Sequence, residues 1–234
     1  MSSEISVIGH RGMPTKFPDN SLPGFVAAAR ICDRVELDIR RSLDGKLVLS
    51  HDPTIGGLSV NDTPWSVLAE IDLGQGVKPC LFDEALAALP DTPVLIEVKN
   101  SPADPGYEAD SRLALEAASR TRPFDAIISF NWESVERVRH YFPDVATGLN
   151  VGGLGDLGDA VSRCLDGGHR YLVPDVDLLM TAGGVAPPGV ETFVWSSQRF
   201  HDFASGLDEL VSFGVSGIIT DDPESTRALI RSLP

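Results

Sequence analysis

The fold is decided by the stretch Ile5-Ser6-Val7-Ile8-Gly9-His10-Arg11-Gly12, in which a short β-branched run ends in a histidine and an arginine. Seven more apolar runs of similar length follow, and segments with helical spacing lie between most of them. This alternation indicates a parallel sheet, and eight units favour a closed (β/α)8 TIM barrel over an open doubly wound sheet. No Gly-x-Gly-x-x-Gly follows the first strand, which lowers the dinucleotide-binding alternative.

The apolar runs give the predicted barrel strands directly. They are Ile5–Ile8, Val35–Ile39, Val94–Val98, Ala126–Phe130, Ala146–Val151, Tyr171–Val173, Thr192–Trp195 and Gly217–Thr220. The clearest helical segments are Ser21–Cys32, Leu81–Leu89, Tyr107–Arg120, Ser134–Tyr141, Asp202–Phe213 and Glu224–Ile230. Strands that alternate with helices in this way are typical of repeated βα units.

The region after the second strand interrupts the alternation. Asp44-Gly45 is a turn signal, and Leu47–Ser50 is predicted to double back as a hairpin. The region from Pro53 to Lys78 is rich in Gly, Pro, Asp and Ser, and within it Trp65–Ile71 has helical spacing. We therefore predict a barrel with a short hairpin and a small insertion after strand 2, forming a single domain over residues 1–234.

Composition limits the possible partners and the compartment. Lys and Arg number 19 against 34 Asp and Glu, a formal net charge of −15, so the global field repels nucleic acid and anionic membrane surfaces. The three cysteines have no close spacing, which argues against a disulfide framework or a zinc site. We see no signal-peptide pattern and no run long enough to span a bilayer, so we expect a cytoplasmic protein without integral membrane association.

Polar residues at the predicted strand ends point to a metal site. Residues at the carboxyl ends of barrel strands converge on one mouth. Glu36 and Asp38 lie two apart on a strand and therefore point the same way, where they repel each other unless a cation lies between them. Glu97 ends the next strand and can join them, while Lys99 offers a cation to an anionic ligand. An all-carboxylate site suits Mg²⁺ or Ca²⁺ better than zinc.

Each of these features also has a purely structural interpretation. His10 and Arg11 could cap a strand, and Lys99 could simply neutralise Glu97. Their joint occurrence in this order favours function. The remaining histidines lack comparable acidic or basic neighbours and are not predicted to be catalytic; they are His140, His169 and His201.

Taken together, the motifs resemble those of the glycerophosphodiester phosphodiesterase family, a branch of the phosphatidylinositol phospholipase C-like barrels. The matching elements are His10-Arg11-Gly12, Pro18-Asp19-Asn20-Ser21, Glu36-Leu37-Asp38, Asp44-Gly45, His51-Asp52, Glu97-Val98-Lys99, Trp195 and Thr220-Asp221-Asp222-Pro223. They span nearly the whole chain. The ordered set is specific for the family, although each element alone is common.

The resemblance implies an activity and a set of roles. It implies metal-dependent cleavage of a glycerophosphodiester, such as glycerophosphocholine or glycerophosphoethanolamine, into glycerol 3-phosphate and an alcohol. The implied roles are metal ligation by Glu36, Asp38 and Glu97, proton exchange by His10 and His51, phosphate binding by Arg11 and Lys99, and a substrate rim at Trp195. Which histidine is the acid and which the base stays open, as does the choice between a cyclic phosphate and direct attack by water.

The chain also departs from the family pattern. The usual Pro-Glu-Asn-Thr is replaced by Pro18-Asp19-Asn20-Ser21, which shortens the acid while Asn20-Ser21 still offer a helix cap. Ser196-Ser197-Gln198 replace the common Thr-Val-Asn after the rim tryptophan, and the stretch after His51-Asp52 lacks the usual Arg-Thr. These changes concern the headgroup preference more than the reaction.

Three alternatives remain open at this point. A related enzyme could act on lysophospholipids or sphingolipids and would need an apolar loop near the mouth, for which the candidates are Trp65, Leu68 and Phe200. Lys99 could form a Schiff base, although neighbouring carboxylates favour its charged form. A catalytically silent phosphate-binding barrel is the third, and the presence of two histidines argues against it.

Overall fold

The computed structural model describes residues 5–153, 155–184 and 186–233. Its strands are β1 (Ser6–Gly9), β2 (Arg34–Arg41), β3 (Leu47–Leu49), β4 (Thr54–Ile55), β5 (Leu58–Ser59), β6 (Val94–Val98), β7 (Ala126–Ser129), β8 (Ala146–Val151), β9 (Tyr171–Pro174), β10 (Glu191–Val194) and β11 (Gly217–Thr220). Its helices are α1 (Leu22–Ala28), α2 (Trp65–Leu68), α3 (Phe82–Ala88), α4 (Arg112–Ala118), α5 (Trp132–Tyr141), α6 (Leu157–Gly167), α7 (Val176–Ala182), α8 (Leu207–Ser212) and α9 (Pro223–Arg231).

Eight parallel strands close into a barrel in the order β1-β11-β10-β9-β8-β7-β6-β2. Closure comes from β1 and β2, where Ile8 lies opposite Arg34 and Gly9 opposite Val35. A helix follows each parallel strand along the outside, and the predicted (β/α)8 barrel is confirmed. Because all eight strands run the same way, their carboxyl ends form one mouth.

The lumen below the mouth is filled by apolar side chains. Ile8, Leu95, Ile128 and Phe193 belong to one buried cluster, in which the rings of Phe193 and Tyr171 stack with centroids 4.9 Å apart. The alternate residues of the same strands pack outward under the helices. This core forms the apolar floor of the mouth, and the polar residues at the strand ends lie above it.

The predicted hairpin and insertion after the second strand are confirmed. β3 pairs antiparallel with β2, with Ile39 opposite Leu49 and Arg41 opposite Leu47. A small apolar cluster that includes Val48 and Leu68 lies beneath the insertion. The two-stranded pair β4–β5 was not foreseen from the sequence.

The helices depart from the predicted ones in extent. Two of them, α6 and α7, lie in regions where no helix was named, and each begins with an aspartate cap, at Asp156 and Asp175. The helix predicted over Tyr107–Arg120 begins only at Arg112, because Glu108 accepts a hydrogen bond from the backbone N–H of Leu113 and ties down the preceding turn. No helix within the described ranges is long and apolar enough to cross a membrane.

Candidate active site

Three buried carboxylates meet at the ends of β2 and β6. Asp38 and Glu97 are register partners on neighbouring strands, and Glu36 lies two residues before Asp38 on the same face. One oxygen from each of the three lies within 4.8 Å of the others. Glu36 Oε1 accepts no hydrogen bond within the described part of the chain, whereas Asp38 Oδ1 faces the ammonium of Lys99 at 3.0 Å. A buried carboxylate oxygen without a donor, in a group of three acids, is suited to bind a hard cation.

Asp38 is held in place by Asn20. The side-chain amide of Asn20 donates to Asp38 Oδ2 at 2.8 Å, and its oxygen accepts from the backbone N–H of Asp38 at 3.0 Å. The sequence suggested a capping role for Asn20-Ser21, and Ser21 is indeed the N-cap of α1. Asn20 instead fixes the orientation of the carboxylate, which sequence reasoning missed because the contact joins two separate elements.

Two cations accompany the acids. Lys99 forms ion pairs with Glu97 and with Asp38, and its Nζ lies 3.0 Å from Asp38 Oδ1. Arg11 Nε lies 3.4 Å from Asp38 Oδ2. The guanidinium of Arg11 also donates to Asp19 at 3.2 Å. With all three carboxylates ionised, the five groups carry one net negative charge.

The pKa values of these groups follow from burial and from their neighbours. Burial raises the pKa of Glu36 well above its ordinary value, and the negative charges of Asp38 and Glu97 raise it further. Burial acts on Asp38 in the same direction, yet Lys99 and Arg11 outweigh it and hold the pKa of Asp38 below its usual range. Burial would lower the pKa of Lys99, but Asp38 and Glu97 raise it above its ordinary value. Lys99 therefore stays charged, which argues against a Schiff-base role.

The turn after β1 brings Arg11 to the acids. Arg11 has a left-handed backbone with φ 54°, and its N–H donates to Glu36 Oε2 at 2.8 Å. Its carbonyl accepts from the N–H of Asn20, which is also left-handed with φ 53°. Gly12 follows with φ 91°, and a Cβ there would lie 2.9 Å from the backbone of Gly24. Such conformations persist only where the surroundings impose them.

His10 and Asp221 form a hydrogen-bonded pair across the seam between β1 and β11. Gly9 lies opposite Thr220, so the next residues of the two strands, His10 and Asp221, meet at the mouth. Nδ1 of His10 lies 2.7 Å from Oδ1 of Asp221. The backbone N–H of Phe200 donates to the other oxygen of Asp221 at 2.9 Å. Because Asp221 directly follows β11, the strand-end rule could have identified it from the sequence.

His51 reaches the mouth from the hairpin. Its Nδ1 lies 2.7 Å from Oδ1 of Asp52. Its carbonyl accepts from both Nε and Nη2 of Arg40, at 3.0 and 2.8 Å. Burial lowers the pKa of His51; Asp38 counteracts this, and the positive charges of Lys99 and Arg11 lower it further. Arg40 was not predicted to matter, because nothing in the sequence tells which carbonyl an arginine binds.

The opposite wall of the mouth is aromatic. Trp195 donates its indole N–H to the carbonyl of Val173 at 3.2 Å and meets Phe130 edge to face, with ring centroids 5.5 Å apart. A cavity of about 90 Å³ lies between this wall and the charged one. It is lined by seven of the eight predicted site residues, namely His10, Arg11, Glu36, His51, Glu97, Lys99 and Trp195. Asp38 is fully buried beside them.

The candidates for an apolar lipid-binding loop offer little surface. Leu68 is fully buried, and Trp65 packs on the apolar cluster under the insertion. Phe200 is 53% exposed. A single exposed ring is a small surface for an acyl chain, so the lysophospholipid alternative gains no support from these residues.

A closed βα barrel with buried carboxylates, paired cations and two histidine–aspartate pairs at its mouth has the composition of a phosphodiester-cleaving site. Residues 10–225 match the Glycerophosphoryl diester phosphodiesterase family. The chain belongs to this family and is a phosphoric diester hydrolase.

One curated relative is similar in sequence, and two solved structures share the fold. The chain is 28% identical to a glycerophosphodiester phosphodiesterase of Caldanaerobacter subterraneus, over 96% of this chain and 97% of the relative. The crystal structure of a glycerophosphodiester phosphodiesterase from Parabacteroides distasonis superposes with a TM-score of 0.82 at 23% identity, over 99% of both chains. A phosphodiesterase of Oleispira antarctica, solved in complex with the product sn-glycerol-3-phosphate, gives 0.77 at 20% identity, over 97% of this chain and 96% of that one.

Proposed function

We propose that this enzyme hydrolyses glycerophosphodiesters, such as glycerophosphocholine or glycerophosphoethanolamine, to glycerol 3-phosphate and an alcohol. The observation that carries the proposal is the meeting of acids, cations and two histidine–aspartate pairs at one small cavity. Glycerol 3-phosphate is the product bound to the Oleispira antarctica relative, which supports the same product here.

Glu36, Asp38 and Glu97 would hold a divalent cation, Mg²⁺ or Ca²⁺. The buried Glu36 Oε1, which accepts no hydrogen bond from the described residues, supports this, and so does the all-oxygen donor set. Charge balance supports it as well, because a divalent ion together with a singly charged phosphodiester would neutralise the excess negative charge of the cluster. When bound, such a cation neutralises phosphate charge and acts as a Lewis acid.

Arg11 and Lys99 would bind the phosphate oxygens. Both are cations in an otherwise acidic protein, and both line the cavity. Fixed positive groups at this position stabilise the charge that develops on the phosphoryl oxygens as the P–O bond breaks. The guanidinium of Arg11 can present two parallel N–H donors, which an ammonium cannot.

His10 and His51 would exchange protons with the substrate. In each histidine Nδ1 is occupied by an aspartate at 2.7 Å, which leaves Nε2 as the nitrogen available to the reaction. One imidazole would accept the proton of the attacking hydroxyl, and the other would donate a proton to the leaving oxygen. The carboxylates hold the rings in the required tautomer and stabilise the imidazolium form.

Kinetics on a small panel of glycerophosphodiesters with Mg²⁺, Ca²⁺ or a chelator tests the proposal. We expect turnover that the chelator abolishes. Glu36→Gln and Asp38→Asn should weaken metal binding in titration calorimetry while the fold persists, and Glu133→Gln, a 64% exposed acid on α5, is the matched control. Unchanged affinity in both site variants would remove these residues from the ligand set.

The phosphate contacts are tested by Lys99→Ala and Arg11→Lys. Lys99→Ala should raise KM and lower kcat together, because its contact strengthens as charge builds in the transition state. Arg11→Lys keeps the charge but loses the two-pronged donor, so it should also lower kcat/KM. Wild-type kinetics in either variant would contradict the role of that residue.

A further inference from the structure

One polar side chain on the aromatic wall has an oxygen without a partner among the described residues. Asn150 ends the inward-facing row of β8 and is 3% exposed. Its side-chain oxygen accepts no hydrogen bond from any described residue, although its backbone carbonyl accepts from the indole N–H of Trp132 at 2.8 Å. A buried amide oxygen normally has a donor, so this one calls for a partner from outside the chain.

The strand directs Asn150 into the substrate cavity. Its neighbours Leu149 and Val151 pack outward beneath the helices, so Asn150 points inward. Gly148, the preceding inward residue, leaves room for Tyr171, because a Cβ there would lie 2.6 Å from the Cβ of Tyr171. Asn150 therefore lies above the apolar floor and lines the cavity with Phe130 and Trp195.

The position of Asn150 relative to the charged groups indicates what it meets. In the barrel order, β8 lies across the mouth from β1 and β2. If Arg11 and Lys99 bind the phosphate, an organic group of the substrate that extends away from β1 and β2 meets β8. The cavity beside Asn150, about 90 Å³, shares Arg11 and His51 with a neighbouring cavity of about 250 Å³, so only the part of the substrate next to Asn150 has to be small.

The chemistry of an amide beside two aromatic rings selects a hydroxyl group on a short carbon chain. A half-turn of the amide presents either its oxygen or its NH₂, and a hydroxyl can donate to the first or accept from the second. The rings of Phe130 and Trp195 offer apolar contact to the carbon atoms. We propose that Asn150 is a specificity-determining residue that hydrogen-bonds a hydroxyl of the glycerol part of the substrate. The inference rests on the proposed function for the position of the phosphate.

Two phosphate monoesters that differ only in hydroxyl groups provide the test. Glycerol 3-phosphate and propyl phosphate are titrated calorimetrically into the magnesium-loaded protein, so that the readout is independent of the reaction route. The wild type should prefer glycerol 3-phosphate. Asn150→Leu, which is similar in size, should weaken glycerol 3-phosphate about 10- to 100-fold and change propyl phosphate less than about 3-fold.

Two further variants separate this role from a structural one. Asn150→Asp keeps the shape and an acceptor oxygen but adds charge, so both monoesters should weaken while the preference for glycerol 3-phosphate remains. Val173→Ala alters the register partner of Asn150 on β9 and should shift both affinities alike. If Asn150 had only a structural role, Asn150→Leu would shift the affinities for both monoesters alike, as Val173→Ala does.

The outcomes distinguish this inference from the proposed function. Equal weakening of both monoesters in Asn150→Leu, or an unchanged preference, overturns the role of Asn150 even if the wild type hydrolyses glycerophosphodiesters. Failure of the wild type to bind either monoester overturns it as well. If glycerol 3-phosphate binds in an Asn150-dependent way but no glycerophosphodiester is cleaved, the proposed reaction fails and the hydroxyl-binding role stands.

Discussion

The two histidine–aspartate pairs at the mouth have the same contact and different surroundings. In both, Nδ1 of the imidazole lies 2.7 Å from a carboxylate oxygen. Asp221, the partner of His10, is 5% exposed, whereas Asp52, the partner of His51, is 73% exposed. Water screens a charge pair at the exposed position and not at the buried one. A shared distance therefore does not imply a shared strength.

The origin of each pair explains this difference. His10 and Asp221 are 211 residues apart and are joined by the closing strands of the barrel, while His51 and Asp52 are neighbours on one loop. Burial alone would raise the pKa of Asp221, but hydrogen bonding to His10 and to the N–H of Phe200 lowers it below its ordinary value. The buried carboxylate stays ionised and can stabilise a positive imidazole throughout the neutral range.

The largest expected effect comes from removing either imidazole. His10→Ala and His51→Ala should each lower the rate about 10²–10⁴-fold, and wild-type kcat/KM should follow a bell-shaped pH profile, if the two act as an acid/base pair. His140→Ala, on the exposed end of α5, is the control and should leave the rate unchanged. Steady-state kinetics on a natural glycerophosphodiester provides the measurement.

A second substrate separates the acid from the base. A p-nitrophenyl phosphodiester needs little protonation of its leaving group, so the variant without the general acid should be largely rescued on it and the other should not. Identical responses of both variants, or full activity of both on the natural substrate, would contradict the two-histidine mechanism.

The next largest effect concerns Asp221 and Asp52, the carboxylate partners of the two histidines. Asp221→Asn should lower kcat about 10- to 100-fold, because the neutral amide neither stabilises the imidazolium nor enforces the tautomer. Asp52→Asn should change kcat by less than about 3-fold, because Asp52 is 73% exposed and water screens its charge. The ratio of the two effects is the measured quantity, and equal effects would show that burial does not distinguish the pairs.

The backbone support of His51 should matter less than the imidazole but more than Asp52. Arg40 binds the carbonyl of His51 through two donors, so Arg40→Met should let the loop shift and lower kcat/KM about 10-fold. Arg170→Met, at a 57% exposed arginine, is the control. Wild-type kinetics in Arg40→Met would mean that the hairpin alone positions His51.

The smallest effect is on stability, and it depends on pH. The pKa of Asp221 is lower in the folded protein than the roughly 3.9 of an unfolded chain, so the ionised carboxylate stabilises the fold above that value. That contribution is lost as pH falls through the folded pKa. Urea unfolding should show Asp221→Asn about 1 kcal/mol less stable at pH 7, with a smaller gap near pH 3. Asp52→Asn should show no comparable gap, and a gap for Asp221→Asn that grows toward acid would reverse the sign of this argument.

The sequence alone was sufficient for the barrel and for the acids, cations and histidines that lie together at its mouth. Strand residues alternate faces, so Glu36 and Asp38 had to share one, and parallel strands bring their carboxyl ends together, so Glu97 and Lys99 had to lie nearby. These are local periodicities, and they remain visible in a single chain. Helix ends were predicted less well, because α4 begins where Glu108 binds across a turn.

The partners of these residues were decided only by the tertiary structure. Asp221 meets His10 through barrel closure, Asn20 holds Asp38 across two elements, and the exposure that separates Asp221 from Asp52 depends on what packs around each. In the sequence Asn150 is not distinguished from the other residues of its strand. Only the strand register shows that its side chain lines the cavity, with an oxygen that no described residue hydrogen-bonds. Periodicity fixes the face on which a side chain lies, whereas hydrogen-bond partners and burial depend on strand register and on contacts between residues far apart in the chain.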